Sequence, residues 1–212
     1  MKRIKSYFLM LLFVNYILSC DRASKKELPI FNPSDFNPEL VDISVQRMED
    51  HVVSNFELIN QNGKKITQDN YKNKIYVTDF FFTRCPSICP VMSNNMEKIQ
   101  KKFLNNDGVM FLSLSVTPEL DSIPILKEYA IKHGVIDTKW NITTGNKKHI
   151  YNLARKSYFA VVEQGDGGLQ DFIHTPNFVL VDRKKQIRGV YDGTKDEEIK
   201  RLIQDIKILD EK

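Results

Sequence analysis

Cysteine is nearly missing from this chain, with three in 212 residues. One of these, Cys20, stands at the edge of an N-terminal leader, so only Cys85 and Cys89 remain to form a pair. A bridge between residues four apart closes almost no loop, so the chain-entropy stabilisation it supplies is small. A structural staple is therefore the poorest reading of the pair; reactivity and metal binding are better ones. Long apolar runs are missing too. The main one, YFLMLLFVNYIL (7–18), is too short to span a bilayer comfortably and has about the length of a signal-peptide core. No internal repeat or low-complexity block is present. Net charge is nearly absent once the leader is set aside. Of 31 basic residues the leader takes Lys2, Arg3 and Lys5, which leaves 28 against 27 acidic ones. So balanced a chain gives no electrostatic reason to expect a nucleic-acid partner.

The leader has a basic head, an apolar core and then ILSC, with the small Ser19 just before Cys20. That ending resembles a bacterial lipobox, in which the cysteine is acylated and becomes the new N-terminus. Residues 1–19 are thus expected to be a lipoprotein signal peptide, Cys20 the lipidation site, and 20–48 a lipidated, flexible tether. The tether is polar, carries Pro29, Pro33 and Pro38, and has no sustained apolar period. Such a protein is expected in the cell envelope, anchored by lipid and facing the periplasm. Asp21 directly after Cys20 slightly favours the inner membrane.

The domain proper, 49–212, alternates strand and helix patterns. VVSNFELI, Asn62-Gly63 and KKIT predict a β-hairpin, because Asn-Gly tolerates positive φ at both turn positions. KIYVTDFFF (74–82) is a continuous apolar strand of the kind buried on both faces of a sheet. PVMSNNMEKIQKKFL has helical spacing, with Val91, Met96, Ile99 and Phe103 among its apolar positions. VMFLSLSV (109–116) is the next buried strand, and DSIPILKEYAIKHG the next helix, stopped by Gly134. After KWNITT come a helix at about 146–156, a hairpin of NFVLVD and IRGVYD turning at Arg183–Lys185, and a last helix from about 195 to 209. This order predicts an α/β sandwich around one central sheet.

Chemistry concentrates in VTDFFFTRCPSICPVM (77–92). The strand ends near Thr83, and Pro86 suits a first helical turn, where its missing N–H costs nothing. Cys85 then lies at a helix N-terminus, whose partial positive charge favours thiolate. Cys89, one turn on, falls on the same face. Two sulfurs so placed close a disulfide with modest adjustment or present two thiolates to one ion. Spacing alone does not choose between them.

TRCPSICP is similar to the Cys-x-x-x-Cys-Pro motif of the SCO/SenC family, the copper-handling branch of the thioredoxin superfamily. FLSLSVTPELDSIPILKEYAIKHG resembles that family's second strand and helix, and HTPNFVLVD its histidine segment, so the likeness covers about residues 50–210. It implies a thioredoxin-like three-layer sandwich with a central mixed β-sheet and an N-terminal β-hairpin. It also implies copper, held by Cys85, Cys89 and His174 and delivered during cytochrome c oxidase assembly. The partner would be the oxidase's copper-site subunit or another copper or thiol protein. The donor chemistry agrees: thiolates favour Cu(I), and imidazole accepts either oxidation state. A structural zinc site would normally have four ligands. Two positions depart from the family. Ser87, between the cysteines, and Ile173, before the histidine, stand where an acidic residue is common, so negative charge near a bound cation is reduced.

Two further residues lean toward thiol chemistry. Asp79 is six residues before Cys85, as is the buried aspartate of thioredoxins, which serves as proton acceptor for the second thiol. The competing reading of Asp79 is a strand-end carboxylate facing solvent. Pro176 falls where thioredoxins carry a cis-proline beside the disulfide, and both isomers remain open. The second functional reading is therefore a thiol-disulfide oxidoreductase, in which Cys85 attacks and Cys89 resolves. Copper carriage, by contrast, involves no turnover. A peroxiredoxin is disfavoured, because the run before Cys85 lacks the Pro-x-x-x-Thr-x-x-Cys pattern.

Other conspicuous residues are expected to be structural. Phe80, Phe81 and Phe82 read as core strand, Trp140 as a packed strand residue, and Met92 and Met96 as helical core rather than thioether donors. GDGG (165–168) has no following helix with the lysine that a phosphate loop requires, so it reads as a flexible hairpin tip. His51, His133 and His149 are expected at the surface.

Overall fold

The computed structural model describes residues 27–36, 43–44, 50–161, 165, 167–168 and 171–211. The signal peptide, Cys20 and much of the expected tether lie outside the described residues.

Among the described residues the strands are β1 (Glu57–Asn60), β2 (Lys65–Thr67), β3 (Ile75–Phe81), β4 (Val109–Ser115), β5 (Trp140–Thr144), β6 (Asn177–Val181) and β7 (Ile187–Asp192). The helices are α1 (Ile88–Lys102), α2 (Ile123–Lys132), α3 (Lys147–Asn152) and α4 (Asp196–Asp210). The strands form one sheet in the order β2-β1-β5-β4-β3-β6-β7. β3 runs parallel to β4 and β4 to β5, whereas β6, β7 and the β1–β2 hairpin join antiparallel. The sheet is therefore mixed, and helices cover both faces.

Alternation along the strands explains the two layers. Val77 and Phe81 of β3, Phe111 of β4 and Leu180 of β6 meet Met92, Ile99, Leu126 and Leu202 of α1, α2 and α4. Tyr76 and Phe80, Leu112 and Val179 point the other way, onto Ile150 and Tyr158. Every residue of β3 is buried, as expected of a central strand. Trp140, Met92 and Met96 are core residues as well.

The departures have local causes. The hairpin turn uses a left-handed residue only at Gly63 (φ 71°), not at Asn62 as well. The Asn60 carboxamide there accepts the N–H groups of Asn62 and Lys64, each at 3.0 Å, and sets a different turn. β1 starts only at Glu57 because the residues before it bond elsewhere. Val53 N–H donates to the Lys185 carbonyl, and Ser54 N–H to Ser157 Oγ. Val91 is 44% exposed, because Met92, Met96, Ile99 and Phe103 define the buried stripe and Val91 lies off it.

His51 and His133, expected at the surface, are buried. His51 packs its ring 4.7 Å from that of Phe159 and donates from Nε2 to the Ser157 carbonyl at 2.7 Å. His133 packs its ring at a tilt against Tyr129, with centroids 4.3 Å apart. His149 is half-buried, its Nε2 accepting the Glu57 N–H. α3 does not run through to residue 156; it widens into a π-helical turn, Leu153–Ser157. Of GDGG, Gly165, Gly167 and Gly168 are described and lie outside any strand; Asp166 and the residues on either side, 162–164 and 169–170, lie outside the described residues.

Part of the expected tether is docked. Phe31 pairs with Ile187 of β7, Leu28 and Pro33 are buried, and Arg188 donates to the carbonyls of Leu28 and Pro29.

Candidate functional site

β3 delivers the site. Its last residues lead through Phe82 into a turn at Thr83–Arg84, and Cys85 follows. The turn is held from below by Asp121, which is fully buried. Its carboxylate accepts Thr83 Oγ1 at 2.6 Å, Thr83 N–H at 3.3 Å, Ser115 Oγ at 2.5 Å and Thr117 Oγ1 at 3.0 Å. The loop bearing the cysteine is thereby fastened to the end of β4.

The helix starts later than the sequence predicts. α1 opens at Ile88 with Ser87 as its N-cap residue, so Pro86 and Cys85 precede the helix instead of occupying its first turn. The Ser87 side chain makes no capping bond. Cys85 supplies one in its place: its Sγ accepts the N–H of Cys89 in the first turn at 3.5 Å. The two cysteines thus meet through a cap and not along one helical face. Both are buried, and both are free thiols.

Their acidities diverge. Burial pushes the Cys85 thiol up, but hydrogen bonds from the backbone and side chains of Cys89 and Ser87 outweigh it and bring the pKa down to about 7. Burial drives Cys89 up to about 12 against a hydrogen bond from the Phe82 backbone, with Cys85 and the charge of Asp79 adding to the rise. One sulfur is prepared as a nucleophile or ligand, and the other holds its proton.

Asp79 does not face solvent. It is 2% exposed, on the β3 face that packs against α1, and Ser113 Oγ donates to its Oδ1 at 2.5 Å. Trp140 Nε1 in turn donates to Ser113 Oγ at 2.8 Å. Burial raises the Asp79 carboxyl to about 7, against the pull of the Ser113 hydroxyl and its own backbone N–H. Tyr129 packs in the same core cluster as the two cysteines. Its hydroxyl shares a 2.6 Å hydrogen bond with Ser93, and burial, reinforced by the charges of Asp79 and both thiols, holds its pKa well above the ordinary value.

His174 is exposed, between buried Ile173 and Thr175. Phe82 joins it to the cysteine loop, with ring centroids 6.3 Å from His174 and 5.1 Å from Phe172. Among the described residues no three His, Cys, Asp or Glu side chains converge on one ion position. The structure therefore brings Cys85 and Cys89 together, sets Asp79 near enough to act on Cys89 through its charge, and leaves the imidazole standing off, across Phe82. Thr175–Pro176 is trans, and the Pro176 carbonyl accepts the Gly193 N–H at 2.7 Å. Ser87 is exposed, its hydroxyl 3.8 Å from Cys85 Sγ.

Sequence reasoning missed Ser113, Asp121 and Tyr129. Ser113 carried a usable signal, a polar residue inside an apolar strand; its register with Asp79 becomes visible only once β3 and β4 are paired.

A mixed sheet whose central strand runs out into a dithiol at a helix start defines a thioredoxin-like protein. The SCO1/SenC family model matches residues 44–209, and the chain belongs to that family. It is 33% identical to the SCO1 protein homolog of Bacillus subtilis (strain 168) over 157 residues, covering 73% of this chain and 81% of that one. Among solved structures it resembles BsSco, described as a member of the Sco family of cytochrome c oxidase assembly proteins with a disulfide switch. That match has a TM-score of 0.64 and 31% identity over 77% of this chain and 98% of the other. It also resembles Arabidopsis thaliana ScoI with copper bound, at TM-score 0.59 and 25% identity over 76% and 99% of the two chains.

Proposed function

We propose that this protein is a copper carrier of the cell envelope, held to a membrane by lipid on Cys20. It would face the periplasm and deliver copper to the copper-site subunit of cytochrome c oxidase. The observation that carries this reading is the Cys85–Cys89 pair. Two thiols touch at a helix start, and one of them has its acidity raised to near neutrality. Thiolates are soft donors suited to Cu(I). His174 is the third donor, on the segment that meets Phe82 beside the cysteine loop. Copper is cargo here, and its transfer needs no turnover. The copper-bound and oxidase-assembly descriptions of the relatives agree with this reading. Lipid anchoring rests on the ILSC sequence; no helix among the described residues is long and apolar enough to cross a membrane.

Titration of the reduced protein with Cu(I) and Cu(II), with and without each of the three residues, tests the proposal. His174→Ala is expected to abolish stable Cu(II) binding and leave dithiol oxidation intact. Undiminished Cu(II) affinity in that variant overturns the three-ligand site.

A second reading, a thiol-disulfide oxidoreductase acting on an exported or membrane partner, has its own support. Asp79 is buried beneath the pair with its carboxyl raised to about 7, suited to take up the proton of Cys89. The two readings share one dithiol. A Cys85–Cys89 disulfide supplies no thiolates, so redox state would gate metal loading. Equal copper affinity of the oxidised and reduced forms would remove that link.

A further inference from the structure

His174 sits between two anchors, and both are fastened to one short stretch of backbone. Upstream, the Asp171 carboxylate is gripped by Arg155: Nη1 donates to Oδ2 and Nη2 to Oδ1, each at 2.6 Å. These side chains are only 11% and 9% exposed. Gly167 N–H adds a 2.7 Å bond to the same Oδ2. Gly165 closes over the pair, where a Cβ would lie 2.4 Å from Asp171 Oδ2 and 2.5 Å from Arg155 Nη2. The part of GDGG that the structure describes is therefore a cover for this ion pair. Downstream, Thr175 Oγ1 and Asn177 Nδ2 both donate to the Ala160 carbonyl, at 2.9 and 2.8 Å.

Arg155 belongs to the π-helical turn Leu153–Ser157, and Ala160 follows Phe159, a non-glycine residue at φ 48°. π-turns and left-handed non-glycine residues gather at functional sites, since both re-aim side chains at some cost in stability. Between the anchors Ile173 is buried, which leaves Phe172 and His174 as the residues turned outward. Stability alone is a weak reason for this arrangement, because a buried ion pair can often be replaced by apolar side chains without loss. What a bidentate arginine fork adds is fixed direction.

We propose that Arg155 is a positioning residue for His174. Through Asp171 it fixes the short span of chain that carries the imidazole, which stands across Phe82 from the Cys85–Cys89 pair. The proposal rests on the three-ligand copper reading and assigns its geometry to residues that do not touch the metal. Residues that orient a ligand this way typically contribute 10- to 100-fold in affinity.

The test is anaerobic Cu(II) titration of the reduced full-length chain, with nitrogen hyperfine coupling in the electron paramagnetic resonance spectrum as a second readout. Arg155→Met is expected to weaken Cu(II) binding about 10-fold or more and to blur the imidazole signature. Arg155→Lys, which keeps the charge and loses the fork, should recover part of both. The rate of Cys85 alkylation should not change in either variant. Wild-type Cu(II) affinity in Arg155→Met, with affinity lost in His174→Ala, overturns the positioning role and leaves the metal site standing. Wild-type affinity in both variants overturns both. If Arg155→Met fails to fold by circular dichroism, Asp171→Asn keeps the shape and decides: wild-type Cu(II) affinity in Asp171→Asn, with affinity lost in His174→Ala, refutes the proposal.

Discussion

The backbone N–H of Cys89 points at Cys85 Sγ, 3.5 Å away. That contact makes two chemically identical thiols unequal. Cys85 has its pKa lowered to about 7, and Cys89 is pushed up to about 12. Iodoacetamide should therefore label Cys85 alone at neutral pH, at a rate that climbs with pH and levels off above about 7. Peptide mapping by mass spectrometry reads both sites at once. Labelling of Cys89 first, or a Cys85 rate still climbing at pH 9, would show that the cap does not set the acidity.

Asp79 makes a prediction about stability. Burial raises its carboxyl from the ordinary 3.8 of an aspartate to about 7, so between those values the folded chain holds a proton that the unfolded chain has released. The contribution of Asp79 to stability is then greatest below pH 4, falls as pH rises toward 7, and stays flat beyond. Asp79→Asn should remove that slope and raise stability at pH 8 by about 1 kcal/mol or more. Urea unfolding of the reduced protein at pH 5 and pH 8 measures this, in a Cys85→Ser background so that the thiol does not titrate in the same window. A variant less stable than its parent at pH 8 would refute the buried, uncompensated carboxylate.

What the sequence showed and what it hid divide along physical lines. β3 was legible because a strand buried on both faces leaves an unbroken apolar run. The order of the helices followed from their periodicity, and Cys85 and Cys89 were conspicuous through scarcity. The start of α1 was not legible, because proline tolerates both the first helical turn and the loop before it. A sulfur took the capping role that Ser87 normally would. His51 and His133 were misplaced because an aromatic ring and a carbonyl partner, which make a buried histidine tolerable, come from residues distant in the chain or from a helix face not yet packed. The standing-off of His174 depends on a segment whose described residues form no strand or helix, where periodicity says nothing.

Asp121 supports the site without touching it. Its buried carboxylate accepts three hydroxyls and one N–H from Thr83, Ser115 and Thr117. Asp121→Ala would leave those donors unsatisfied in the interior, at a cost of about 2–4 kcal/mol. With the Thr83 turn loosened, the Cys89 N–H loses its aim at Cys85, so the alkylation profile of Cys85 should move to higher pH. Asp121→Asn keeps two acceptor lone pairs on its oxygen and should lie between wild type and Ala in both measurements. Destabilisation with an unmoved thiol profile would confine Asp121 to a structural role.

Arg188 holds the N-terminal segment to the edge of the sheet. Its guanidinium pairs with Asp182 at 2.8 Å in the interior and donates onward to the carbonyls of Pro29 and Leu28. Phe31 N–H then bonds the Ile187 carbonyl at 2.9 Å and covers part of β7, which is otherwise an unpaired edge. Arg188→Met leaves Asp182 buried without its counter-charge, a change that costs about 3–5 kcal/mol. Removing both charges, as Arg188→Met with Asp182→Asn, should recover a large part of that, because the penalty lies in the orphaned carboxylate. The double variant should nonetheless release residues 28–31, since the two carbonyls still lack their donor. Hydrogen exchange at the Phe31 amide separates these effects: exchange should quicken in both variants, while the urea midpoint falls steeply only in the single one. A Phe31 amide as protected in the double variant as in wild type would mean that apolar packing of Leu28 and Phe31, and not Arg188, fixes the segment.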